Sequence, residues 1–367
     1  MYLLRRSFPQ LKRLLGFGLL WLVAACQGKR LQPQVSFQTL PERTVLALSV
    51  VDACIVAVDA RQPKVVGTLK SPFFKASTDL VALTSGEIAL TLDADAEHDY
   101  RDIVFLDPVQ GKETARVTVE WAPVRLGLSP AGFLLVAHSL EKASNGLFTL
   151  SILDVQARRM VGRTETNGYI ADMAFDGQQA YLGVVAVRPG EPSGILIYDV
   201  AARRTEAFHP VPQPPDEPPW SPHALALDGD RGHLYTLLFQ FNATSPCQQH
   251  GRLVRLDVHT GTWTPILDLP DVGPLLRLSD GTLVSGEMCS WGEGRLFGID
   301  PASGTVRWTQ KVGPGIQDLV PVSDQVVVAS VAEVNRVVFF EAQNGEINAD
   351  ISLPCAWPGA LTLRSAP

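Results

Sequence analysis

Asp79, Asp172, Asp318, Arg125 and His223 are the residues whose types could act together as a chemical centre. Carboxylates and a histidine can move protons near neutral pH, and an arginine can steady developing negative charge. Four or five such groups suit a hydrolytic or lactonase-type reaction. Each also opens an apolar run, where a strand meets water, and polar residues are common there for no chemical reason. His223 reads either as a lining residue or as a hydrogen-bonded strand start. None of the seven histidines shows a metal-ligand spacing such as H-x-x-x-H. No Gly-x-Ser-x-Gly elbow offers a serine nucleophile. No cofactor and no metal are expected.

A second group of residues suits binding. His98 and Tyr100 lie in Glu97-His98-Asp99-Tyr100-Arg101, and His250 ends a long polar stretch beginning at Asn242. Trp220, Trp291 and Trp357 fall between apolar runs. Tryptophan exposed on loop tips marks a partner surface, whereas tryptophan packed over its own sheet does not. The two readings stand level for Trp220 and Trp291, and local packing is the expectation for Trp357. His250 is either part of such a surface or simply solvated.

The elements that position these residues repeat. Arg295–Val312 reads as a short apolar strand, the turn Asp300-Pro301-Ala302-Ser303-Gly304, and a second strand alternating its side chains. Related stretches precede and follow it. Their acidic markers are Asp59, Asp107, Asp154, Asp199, Asp257, Asp300 and Glu341, spaced 41–58 residues apart. Strands and turns at such a period, with no helical pattern, predict an all-β, seven-bladed β-propeller. Four-stranded sheets packed face to face around an axis are buried on both sides, which explains strands apolar at nearly every position.

Strand counting predicts how the ring closes. Blade 1 has only three strands at the N-terminal end, over Val45–Val50, Cys54–Val58 and Lys64–Leu69. One orphan strand, Ala360–Leu363, follows the seventh repeat, so three plus one complete the blade. In every other blade the order is inner, second, third, outer. The second-to-third hairpins and the outer-to-inner connections then share one side of the ring, here the loop face. All five candidate chemical residues begin inner strands at that face, around the mouth of the central channel. The proline-rich stretch Pro212–Trp220 joins blades 4 and 5 there.

Net charge is −7 with no basic cluster in the body, which disfavours nucleic acid. An apolar content of 46% over 367 residues is ample for one closed propeller, expected as a monomer.

The N-terminus carries a targeting signal. Arg5, Arg6, Lys12 and Arg13 precede an apolar run, Leu14–Ala25, too short to span a bilayer as a free helix. It ends in Val23-Ala24-Ala25-Cys26, which resembles the bacterial lipobox. The resemblance implies a signal peptide over 1–25, lipidation of Cys26, a tether over 26–43 and a propeller over 44–367. Lipid chains on one residue give the multi-chain anchor that stable attachment needs. Gln27 after the cysteine implies the outer membrane, facing periplasm or cell surface.

Two repeats carry a second resemblance. Arg295–Trp308, with its Ser-Gly turn and Trp308, resembles a repeat of the pyrroloquinoline-quinone-like propellers. Ser221–Asp228 with Leu234-Tyr235 resembles the YVTN-type repeats of bacterial surface propellers. The first implies a tryptophan docking between blades. Together they imply a cell-envelope propeller that binds a protein or glycan partner, and the channel-mouth hydrolase or lactonase is the alternative.

Setting aside Cys26 leaves Cys54, Cys247, Cys289 and Cys355, which allow three pairings. Cys54 and Cys355 fall on the loop face of blade 1, and Cys247 and Cys289 on neighbouring hairpins of blades 5 and 6. The other pairings would join distant parts of the ring, beyond the roughly 7 Å that a disulfide spans between Cα atoms. Cys54–Cys355 and Cys247–Cys289 are therefore expected, against four reduced and buried thiols.

Overall fold

The acidic markers set the period by closing turns. Asp107 accepts the N–H of Val109 at 2.8 Å, Asp154 that of Ala157 at 2.8 Å, and Asp199 that of Ala202 at 2.7 Å. Asp59, Asp257 and Asp300 do the same for Arg61, His259 and Ala302. A short carboxylate reaching two or three residues ahead reverses the chain between the third and outer strands. Glu341 is one methylene longer, and its turn closes through the backbone, Gly345 N–H to the Glu341 carbonyl at 2.8 Å.

The computed structural model describes residues 34–35, 39–49, 51–71, 74, 77–92, 101–139, 148–188, 190–215, 217–240, 250–289 and 293–365. Among them, the chain from Gln32 onward forms seven antiparallel sheets, each with four strands in the order expected, the first carrying one more. The inner strands are Leu80–Ala82, Pro123–Leu128, Gly168–Asp176, Trp220–Asp228, Leu275–Arg277 and Ile316–Pro321 for blades 2 to 7. Pro358–Ser365 is the inner strand of blade 1. It pairs with Arg43–Ser49, placing Val45 opposite Leu363, so the three-plus-one closure is the one found.

The first sheet carries a strand that the blade count does not include. Gln34–Val35 pairs with the outer strand Lys64–Lys70 of blade 1, as a fifth, two-residue strand. An outer strand leaves one row of backbone groups unpaired, and this segment covers part of it.

Seven apolar clusters hold the ring, one at each junction between neighbouring blades. Val45 and Ala47 pack against blade 7, with Val328 and Phe339, while Leu46 and Leu48 pack against blade 2, with Leu80 and Ile88. The same alternation joins blades 2–3, 3–4, 4–5, 5–6 and 6–7. Period-two side-chain alternation thus sends successive residues of one strand into different interfaces, and both must be apolar.

Trp308 bridges blades 6 and 7. Its Nε1 donates to the Ala342 carbonyl of blade 7 at 3.2 Å, and its ring meets Phe340 edge-on at 5.9 Å. The ring lies so close over Gly298 and Gly345 that a Cβ at either would fall 2.1 or 2.5 Å from it.

Candidate functional site: the channel mouth and the closing seam

Inner strands start at the loop face, so their first residues converge on the channel axis. Asp79, Arg125, Asp172 and Asp318 occupy corresponding positions, each just before a leucine or methionine of its inner strand. His223 sits one residue earlier in blade 5. All five line a single cavity of about 390 Å³ that opens at this face. The bonds each group makes decide what the place can do.

The three aspartates make the same pair of contacts. Asp79 accepts the N–H of Leu80 in its own blade at 2.9 Å and of Leu126 in blade 3 at 2.8 Å. Asp318 accepts Leu319 at 2.8 Å and, across the seam, Leu361 of blade 1 at 2.7 Å. Asp172 accepts Met173 and, in blade 5, Leu225 at 2.8 Å. It also receives the Arg125 guanidinium from blade 3, Nη1 to Oδ1 at 3.0 Å. Each carboxylate thus ties the start of one inner strand to the next blade round the ring. The backbone groups it satisfies lie on the inner strands, whose channel-facing edge has no strand beside it, and would otherwise be orphaned in the channel wall.

The channel also sets protonation. Burial raises Asp79 and Asp172, and Arg125 pulls both part of the way back. Asp318 is pushed up to about 7, first by burial and further by the charge on Asp79, against the Leu361 N–H. Burial works against charge on Arg125, but Asp172, Asp79 and Asp318 together hold its pKa above the ordinary value. Burial and the nearby Arg125 push His223 down to about 4. At neutral pH the imidazole is neutral, its ring edge-on to Phe239 at 5.9 Å. The mouth is therefore acidic, with one arginine against three aspartates. Among the described residues no three His, Cys, Asp or Glu side chains are grouped to hold a metal ion.

The predicted binding residues are dispersed. Trp220 is not a surface anchor: it is 4% exposed and packs with Val211, Leu238 and Val254. Its Nε1 donates to Glu217 at 2.8 Å, and Arg252 covers the ring at 4.5 Å. Its N–H donates to Gln213 Oε1 at 2.7 Å, and Gln213 Nε2 returns to the Trp220 carbonyl at 2.9 Å. That clamp turns the proline-rich stretch inward at its base. His250 is exposed at the start of the third strand of blade 5. Trp291, His98, Tyr100 and Cys26 lie outside the described residues.

Trp357 reverses its expectation. It is 41% exposed, on the connection from blade 7 into blade 1. The Cys54–Cys355 disulfide is present beside it, with Cα atoms 6.6 Å apart. Cys289 is disulfide-bonded as well; Cys247, its expected partner, lies outside the described residues. Sequence reasoning passed over Val51 and Val334, exposed on hairpins of blades 1 and 7 that flank this connection. A lone valine in a turn carries no sequence signal; only the fold brings the two beside Trp357.

The class these features define is a seven-bladed β-propeller with an acidic, carboxylate-braced channel mouth and a disulfide-fastened seam. No protein-family model matches the sequence, and no curated protein matches it. Among solved structures the chain resembles bacterial propellers. The periplasmic gluconolactonase PpgL of Pseudomonas aeruginosa aligns at 16% identity over 89% of this chain and 99% of that one, with a TM-score of 0.64. Apo AztD from Citrobacter koseri aligns at 13% identity over 90% and 88%, TM-score 0.51. BamB from Moraxella catarrhalis aligns at 15% identity over 86% and 84%, TM-score 0.50. Identities this low speak for the fold.

Proposed function

We propose that this chain is a membrane-anchored lipoprotein of the bacterial cell envelope whose propeller serves as a non-catalytic binding scaffold for a protein or glycan partner. The observation that carries the reading is the double commitment of the channel carboxylates. Asp79, Asp172 and Asp318 each spend their oxygens on backbone N–H groups of two blades. Groups employed in this way brace a rigid platform and are poorly placed to move during a reaction. Lipid on Cys26 would hold the platform at the outer membrane, and the loop face would meet the partner.

One observation favours a second reading, a hydrolase or lactonase. Asp318, held near 7 inside a cavity with Arg125, has the protonation behaviour of a general base at neutral pH.

Two experiments test the proposal. Membrane fractionation should show the chain leaving the envelope when Cys26 is changed to Ser; unchanged processing and partitioning would remove the anchor. Photo-crosslinking residues at Val187 and His250 on the loop face, and at Gln62 and Thr260 on the other, should capture one partner from the loop face only. Equal capture from both faces, or turnover of lactones abolished by Asp318→Asn, would overturn the scaffold reading.

A further inference from the structure

Three of the exposed large apolar residues, Val51, Val334 and Trp357, sit on adjoining connections at the junction of blades 7 and 1. Asp52, next to Val51, accepts the N–H of Ala356 at 2.5 Å. Asn335, next to Val334, accepts the N–H of Trp357 at 2.7 Å. The connection is thus held from both sides by hairpins that each carry an exposed valine. Ser49 Oγ bonds the Ala356 carbonyl, and the disulfide fixes Cys355. The patch is rigid, as a surface evolved to meet a partner without ordering cost should be.

It also costs stability. Ala53, Asn335 and Trp357 have φ of 52°, 54° and 56°. Asparagine tolerates the left-handed region, but tryptophan there is strained and would be replaced by glycine if the turn alone mattered. Trp357 leaves 41% of its surface in solvent despite that strain. A strained, half-exposed aromatic in a fastened loop is the pattern of a residue kept for recognition.

The surroundings indicate what is recognised. Asp52 and Glu333 adjoin the two valines in sequence. Gly359 and Ala360, two and three residues beyond Trp357, line the acidic channel mouth. At about 3.3–3.6 Å per residue the tryptophan backbone lies within roughly 11 Å of that lining. A second copy of this chain would bring the same acidic mouth and a net charge of −7 against itself. Aliphatic neighbours dry the patch rather than ring it with donors and acceptors for a sugar. Resting on the scaffold reading, we infer that the blade 7–blade 1 seam docks a basic, extended segment of a partner protein, its apolar side chain on Trp357 between Val51 and Val334, and its lysine or arginine in the channel mouth.

The test uses the full chain in detergent and a random 12-residue peptide display library. Selected peptides should carry lysine or arginine close to a large apolar residue. Their binding should weaken at least tenfold with Trp357→Gly, and severalfold with Val51→Ser, with Asp318→Asn and on raising salt from 50 to 300 mM. Trp357→Gly should keep or raise the thermal midpoint, because glycine suits the backbone there. Selection of acidic or uncharged peptides, no enrichment, or affinity indifferent to Trp357→Gly overturns the inference. So does a midpoint lowered by several degrees in that variant, which would make Trp357 structural. Displacement of the peptides by soluble peptidoglycan fragments in place of basic peptides would assign the seam to a glycan and also overturn it. Loop-face crosslinking at Val187 and His250 is independent of all these outcomes, so the scaffold reading can stand if this inference falls.

Discussion

Asp318 of blade 7 and Leu361 of blade 1 are joined across the closing seam by a 2.7 Å hydrogen bond from the leucine N–H to the carboxylate. Asp79 and Asp172 repeat the contact to Leu126 and Leu225. The channel side of the seam is therefore closed by the same device that links ordinary neighbours, and the loop side by the Cys54–Cys355 disulfide. Removing the Asp79 carboxylate with Asp79→Ala would orphan two N–H groups, at a cost of about 1–3 kcal/mol.

Protonation gives a sharper check. Asp318 is raised from 3.8 to about 7. A folded-state value above the unfolded one means its contribution is complete below about pH 3.8 and is lost as pH rises through 7. His138 and His223 are lowered from 6.5 to about 4, chiefly by burial. Their contribution is complete above 6.5 and is lost as pH falls through 4. The two effects oppose each other in one window, so the aspartate masks part of the stability that the histidines add as pH rises from 4 to 7. Asp318→Asn should gain on the wild type across that window by about 1–3 kcal/mol, after screening by channel water. Denaturant midpoints at pH 4, 5.5 and 7 check it, and a difference independent of pH would count against the assignment.

The fold was legible because its rule is local and repeated. Asp59 through Asp300 announce turns that they themselves close, and the apolar runs between them announce sheets buried on both faces. The converging channel residues were legible for the same reason: strand order alone puts Asp79, Arg125, Asp172, His223 and Asp318 at one end. The tryptophans were not. Whether Trp220 turns inward depends on Gln213, Glu217 and Arg252, three polar residues whose contacts no periodicity encodes. Whether Trp357 turns outward depends on a backbone conformation imposed by Asn335, 22 residues earlier. Gln34–Val35 escaped notice because two residues have no pattern.

Trp220 now belongs to stability. Trp220→Ala should cost about 3–5 kcal/mol, as loss of a buried tryptophan does, and Trp220→Phe less, since the ring stays packed while the bond to Glu217 goes. A thermal midpoint unchanged in the alanine variant would restore the ring to the surface.

Trp308 and Gly298 should be coupled. Gly298→Ala puts a methyl group 2.1 Å from the indole, so the ring must leave its place between blades 6 and 7. The expected cost is about 1–3 kcal/mol in the wild type and much less in a Trp308→Ala background. A double-mutant cycle with additive costs would show that the ring does not sit over Gly298.

The seam disulfide should be the largest single covalent contribution. Cys54 and Cys355 are 301 residues apart, so the bond closes nearly the whole propeller into one loop. The chain-entropy relation gives on the order of 5–6 kcal/mol for so long a loop, before any strain. Cys54→Ser with Cys355→Ser should lower the denaturant midpoint accordingly, yet leave a folded ring, because the inner-strand pairing and the Asp318–Leu361 bond remain. Deleting residues 355–367 removes both of those, exposes the edge of Arg43–Ser49 and strips the apolar packing between blades 7 and 1. That truncation should therefore lose cooperative unfolding altogether, where the double serine variant keeps it. Non-reducing peptide mapping should recover Cys54–Cys355 and pair Cys289 with Cys247. A Cys54–Cys289 peptide would contradict the blade order, since those residues belong to blades 1 and 6, and blade 7 stands between them.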